Sequence, residues 1–182
     1  MTRDCRSGYW SKAPSDRDGR LPGFMTALEV YDLVTTGGGN DFARVVRVCE
    51  AVGPYCLIGG LAVNCYVEPV FTVDADFVMS RPSEGLAESL NAQSPASALR
   101  IQFTTDPRYE SFPSRAEPRT VLGVRVQVAC LPDIAQGKIW AYSDPARRLS
   151  KRKKDELDLI RLAEAYPELK RGYPPELVSM LE

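Results

Sequence analysis

The chain has 182 residues, 44% hydrophobic and 26% charged, with a formal net charge of −1. That length suits one domain, or one domain with a small appendage, and it can bury a core without disulfides. There is no histidine, and the five cysteines (Cys5, Cys49, Cys56, Cys65 and Cys130) form no CxxC pair. Zinc is therefore disfavoured, and Ser-His-Asp, Cys-His and histidine acid–base mechanisms are excluded. Any catalysis falls to carboxylates, lysines or a metal ion. A net charge this small says little about partners, so local clusters must.

No apolar run approaches the roughly 20 residues of a membrane span. The opening MTRDCRSGYWSKAPSDRDGR lacks the apolar core of a signal peptide. The expectation is a cytoplasmic protein with reduced, buried thiols and no membrane partner.

Residues 1–24 are polar and punctuated by Gly and Pro, and read as a poorly ordered lead-in. From Met25, Leu28, Tyr31 and Val34 recur at helical spacing. GGGN breaks that pattern, and Asn40 is placed to cap a second helix, DFARVVRVCEAVG, with the stripe Phe42, Val45, Val46 and Cys49. YCLIGG reads as a short buried strand, LAVNCYV as helical, EPVFT as a turn, and TVDADFVM as a second strand. SEGLAESLNA reads as a helix. SALRIQFTT and GVRVQVACL read as a third and a fourth strand. A helix over LPDIAQGKIWAYS, a basic loop DPARRLSKRK, a helix over KKDELDLIRLAEAYP and a short helix in PPELVSMLE complete the chain. This order predicts an α+β fold, a mixed sheet with helices packed on it. The expected division is a domain over residues 25–170, with its core at 50–130 and a helical portion at 131–170, and a short C-terminal helix or tail at 171–182.

Asp74 and Asp76 stand two apart in a strand, so they project from one face. Two such carboxylates repel unless a cation lies between them, and Mg²⁺ suits them because it takes one or two carboxylates and keeps room for phosphate. The plainer reading is a hydrated strand end. Gly59-Gly60, at the end of the preceding strand, would let backbone N–H groups approach a phosphate. RRLSKRKK, residues 147–154, holds six Lys/Arg in eight positions. These residues, Arg147, Arg148, Lys151, Arg152, Lys153 and Lys154, read either as a solvated loop and helix start or as a patch for NTP or RNA phosphates.

LIGGLAVNCYVEPVFTVDADFVM, followed by DIAQGKIWAYSDPARRLSKRKKDELDLIRLAEAYPEL, resembles the minimal nucleotidyltransferases of the DNA polymerase β-like superfamily. Within it, the pattern is most similar to the AbiEii-type group, which includes nucleotidyltransferase toxins of toxin–antitoxin systems. The resemblance implies a nucleotidyltransferase-like fold and Mg²⁺-dependent transfer of NMP from an NTP to an RNA (tRNA included) or to a protein. It also implies an antitoxin as a partner. By residue, it implies that Gly59 and Gly60 hold the triphosphate, Asp74 and Asp76 hold Mg²⁺, and Lys138 reaches the triphosphate. Asp155 and Asp158 match the late KD-x-x-D element, where Asp155 orients Lys138 or approaches the site. For both acids the plainer reading is helix electrostatics, through the pairs Lys151/Asp155 and Lys154/Asp158.

The departures are equally specific. Thr72 keeps a family threonine, but Val70 stands where relatives carry arginine. The third carboxylate of active relatives is expected on the strand before the lysine helix, where Gln127 stands, with Gln102 the second choice. Glutamine brings no negative charge. The alternative to an enzyme is therefore a catalytically impaired nucleotidyltransferase-like module that binds nucleotide or RNA.

Overall fold

The computed structural model describes residues 27–80, 89–93, 97–104 and 106–182. The lead-in expected over 1–24 and the start of SEGLAESLNA, residues 83–88, lie outside the described residues.

The architecture is the expected mixed α+β one. Six strands form one sheet in the order β3-β4-β2-β1-β6-β5. They are β1 (Tyr55–Ile58), β2 (Asp74–Met79), β3 (Ser89–Gln93), β4 (Arg100–Thr104), β5 (Glu117–Val121) and β6 (Val124–Val128). β2 runs antiparallel to β1 and parallel to β4, while β1 is parallel to β6. The outer strands β3 and β5 pair antiparallel with β4 and β6. The helices are α1 (Ala27–Thr35), α2 (Gly38–Val52), α3 (Gly59–Val63), α4 (Leu131–Ser143), α5 (Leu149–Ala165) and α6 (Pro175–Met180).

The central strands are apolar where they are covered, and β2 is polar only at the half-buried Asp74 and Asp76. Tyr55, Cys56 and Leu57 of β1 are buried, as are Ala75, Phe77 and Val78 of β2. Phe42 of α2 and Phe103 of β4 stack on Phe77 at 6.0 and 5.7 Å. Phe42 and Phe77, fully buried, each contribute roughly 2–3 kcal/mol. A smaller cluster of Tyr142, Leu159, Ala163, Tyr173 and Leu177 ties α4, α5 and α6 together. Burial pushes the Cys49 and Cys56 thiols up to about 11 and 12, and the cysteines among the described residues are free. Among the described residues no helix is long and apolar enough to cross a membrane.

Three local expectations are corrected, and one strand is added. Asn40 does not cap α2, which starts at Gly38. Gly37, at φ +84°, makes the left-handed turn between α1 and α2 that a side chain would strain. Residues 89–92, the end of SEGLAESLNA, form β3 together with Gln93, because β4 offers them a full antiparallel ladder. Residues 117–121 form β5, which the sequence did not announce, since Pro118 and two charged residues suit only a sheet edge. The basic segment is not one loop: α5 begins at Leu149, so Lys151, Arg152, Lys153 and Lys154 are helical.

Candidate active site

The register of β1 and β2 places Asp76 beside Ile58, the last residue of β1. The chain then turns through Gly59 at φ +70°. A Cβ there would overlap the Asp76 carboxylate, so glycine alone lets the turn lie against this acid. Gly60 is different: its φ lies outside the left-handed region, and a Cβ would make ordinary contact with Thr72.

Asp74 and Asp76 do share a face, and their surroundings separate them. Asp74 lies 2.8 Å from Arg100 and 3.2 Å from Lys151. Burial alone would raise its carboxyl, but Lys151, Arg100 and Lys154 outweigh burial and hold it below the usual carboxylate range. Asp76 has no hydrogen bond or ion pair among the described residues. Burial raises its carboxyl and outweighs the attraction of Lys138; the Asp74 charge raises it further, against Lys151 and Lys154. One strand thus carries a cation-paired carboxylate held low and a half-buried one without a partner, held high. Environments that push two acids apart in this way are typical of sites of function.

The two acids open onto a cleft with two lobes. One, of about 370 Å³, is lined by Asp74, Arg100, Gln102, Lys151 and Lys154, among others. The other, of about 240 Å³, lies over Gly59, Asp106, Arg108, Tyr109, Phe112 and Asp133. Asp76, Gln102, Lys138, Arg147 and Asp155 border both. The acids found in the second lobe alone are engaged: Asp106 pairs with Arg108 at 2.7 Å and Asp133 with Arg115 at 2.6 Å.

Lys138 is buried, with its ammonium 2.9 Å from Asp155 and 2.6 Å from Asp158. The second contact is an ion pair by proximity, outside hydrogen-bond geometry. Burial alone would lower Lys138, but Asp158 and Asp155 outweigh it and raise the group. Arg147 closes on Asp155 at 2.7 Å, and Arg161 on Asp158 at 2.8 Å. Asp155 therefore does meet Lys138. Asp158 is no surface partner of Lys154, because both acids of the KD-x-x-D element turn inward to one buried lysine. The pairs Lys151/Asp155 and Lys154/Asp158 do not form. Lys151 reaches Asp74, and Lys154 donates to Thr72 Oγ1 at 3.2 Å.

The basic segment divides. Arg147, Lys151 and Lys154 border the cleft. Arg148 is exposed, Arg152 donates to the Tyr142 carbonyl, and Lys153 pairs with Glu156. Val70 is exposed, with its backbone held by the Asn64 side chain.

Gln127 lies apart from this assembly. It is exposed on β6, opposite Pro118 of β5, and β1 separates β6 from β2. Gln102 is the glutamine beside the acids, directly across from Asp76 on β4. Sequence reasoning ranked these two the other way, because proximity to the lysine helix along the chain is not proximity in the sheet. It also missed Arg100, which the alternation of RIQFT around Gln102 already placed on the same face.

The donor set is compatible with a divalent ion that arrives with phosphate oxygens. Asp74 and Asp76 supply two carboxylates on one face, and the second has no partner to give up. Among the described residues no three acidic or thiol groups converge, so phosphate and water would complete the shell.

No protein-family model matches the chain, and no curated protein matches it in sequence. Among solved structures it is similar to a crystal structure described as an antigenic nucleotidyltransferase-like protein from Paracoccidioides brasiliensis. The identity is 17%, the TM-score 0.44, and the match covers 79% of this chain and 91% of that one.

Proposed function

We propose that this protein binds a nucleoside triphosphate with Mg²⁺ at Asp74 and Asp76 and transfers its nucleotidyl group to a hydroxyl of an RNA or protein acceptor. The observation that carries this reading is Asp76, half-buried and without an ion pair or hydrogen bond among the described residues, beside the cation-paired Asp74 and facing a cleft bordered by Arg100, Arg147, Lys151 and Lys154. A cleft with that balance favours a multiply charged anion.

Mg²⁺, when bound, neutralises phosphate charge and orients the reacting group. The chain's own residues do the rest. Gly59 lets the turn pass close to Asp76. Lys151 and Lys154 hold phosphate oxygens as mobile point charges, leaving Asp74 and Thr72 to do so. Lys138 keeps the KD-x-x-D acids fixed under the site and does not leave them. In the reaction the acceptor oxygen forms a bond to the α-phosphorus, the bond from that phosphorus to the bridging oxygen breaks, and pyrophosphate departs with the electron pair. The acceptor proton passes to solvent, because Gln102 cannot take it.

Gln102 favours a second reading. With a neutral side chain in the third position, the site would bind nucleotide and turn it over weakly or not at all. A role as the toxin of a toxin–antitoxin pair is compatible with the first reading and rests on the sequence resemblance alone. The test is incubation with Mg²⁺, each labelled NTP and total RNA, followed by a search for label on RNA or on protein. Transfer supports the enzyme. Binding without transfer supports the module. Absence of both transfer and binding would exclude a nucleotide site.

A further inference from the structure

We infer that the site continues from Asp76 across the sheet, and that Gln102, Asn91 and Gln93, with Arg100, read the terminal nucleoside of an RNA acceptor. This rests on the nucleotidyl-transfer reading and narrows its acceptor. Asp76 is paired in register with Gln102, and Gln102 with Asn91; Asp74 is paired with Arg100, and Arg100 with Gln93. Paired residues share a face, so two polar rows cross β2, β4 and β3 side by side. On the other face the neighbouring Ala75 and Ile101 are buried. All four partners line the larger lobe with the two acids.

The chemistry changes along the rows. At the acids and α5 the side chains are charged. Beyond them stand three amides, exposed and without a side-chain hydrogen bond among the described residues. An amide offers a donor and an acceptor with no charge. Asn and Gln pair with base edges in this way, and an arginine beside them suits a phosphodiester. The triphosphate is drawn to Lys151 and Lys154, so a hydroxyl attacking opposite the leaving pyrophosphate comes over the neutral side. Among the described residues β3 is the outermost strand on this side, so a polymer entering along the rows meets no further strand of them.

The test uses the full chain and two separate probes. One is a fluorescent single-stranded RNA on the order of ten nucleotides with a free 3′-hydroxyl. The other is an α,β-methylene NTP with Mg²⁺. In the double variant Asn91→Ala, Gln93→Ala, RNA affinity should fall about tenfold while the analogue binds as in the wild type. The single variants Asn91→Ser and Gln93→Ser, checked by thermal melting, separate lost contact from lost fold. Wild-type protein that binds the analogue but not RNA would overturn the inference. So would RNA affinity indifferent to the amides, or amide variants that lose the analogue instead. If the wild type fails to bind the analogue, the transfer reading falls by itself, and the RNA arm still shows whether the amides contact RNA.

Discussion

Gly59 packs directly on Asp76: the glycine's missing Cβ is the space the Asp76 carboxylate occupies. The backbone there also has positive φ. Gly59→Ala therefore meets two penalties, a left-handed conformation costing about 1 kcal/mol or more and a displaced acid. We expect lower stability and loss of Mg²⁺-dependent nucleotide binding. Gly60→Ala should cost little in either assay, because ordinary contact with Thr72 is all it adds. Equal tolerance at both positions, measured by thermal melting and NTP titration, would contradict this geometry.

Lys138 is a structural lysine by its contacts. Removing it takes the shared buried cation from Asp155 and Asp158 and leaves each with a single, more exposed arginine, Arg147 and Arg161 respectively. Lys138→Ala should cost about 3–5 kcal/mol, the scale for breaking a buried pair from one side. The sequence resemblance instead implies selective loss of triphosphate binding. Urea denaturation decides: a variant of wild-type stability that loses only NTP affinity would return Lys138 to the phosphates.

Asp76 gives a prediction with a definite sign. Its folded-state carboxyl is raised above the unfolded value, so the folded state binds more protons in the window between the two values. Stability contributed by this group therefore falls as pH rises through that window, and the full penalty applies above it. Asp76→Asn removes the penalty. It should stabilise the protein at neutral pH, by about 1 kcal/mol, and the gain should vanish in acid. A variant less stable than wild type at pH 7 would show that Asp76 supports the fold.

The two halves of the basic segment should behave differently. Neutralising Lys151 and Lys154 should weaken NTP binding and flatten its salt dependence, since these ammonium groups border the cleft. Neutralising Arg148 and Lys153 should leave nucleotide affinity unchanged. Equal effects of the two pairs would mean that the segment acts through its overall charge.

Gln102 and Gln127 offer a matched comparison. Gln102→Asp adds a carboxylate across from Asp76, and should strengthen metal binding and raise any transferase activity. Gln127→Asp, two strands away on β6, should change neither. Isothermal titration with Mg²⁺ or Mn²⁺ reads the first effect independently of turnover. A response at Gln127 and none at Gln102 would reverse the assignment.

What the sequence disclosed follows from which forces are local. The shared face of Asp74 and Asp76 needs only strand alternation, and the α4 lysine and the α5 face need only helical periodicity. Strand order is not local. Nothing in GVRVQVACL says that it lies beyond β1, and so Gln127 was ranked above Gln102. β3 was misread because Leu, Ala and Glu in SEGLAESLNA favour a helix, and only the ladder with β4 overrides that preference. The inward turn of Asp158 was likewise hidden, because its i,i+4 lysine was a sufficient partner until α4 brought Lys138 to it.

The central claim is that the Asp74–Asp76 pair binds a nucleoside triphosphate through Mg²⁺. The most direct measurement is NTP titration of wild type and Asp76→Asn, each with Mg²⁺ and with EDTA, alongside melting curves. The account predicts tight binding by wild type with Mg²⁺ alone, and a well-folded Asp76→Asn that binds in neither condition. Equal affinity in all four titrations, or no binding in any, would contradict it.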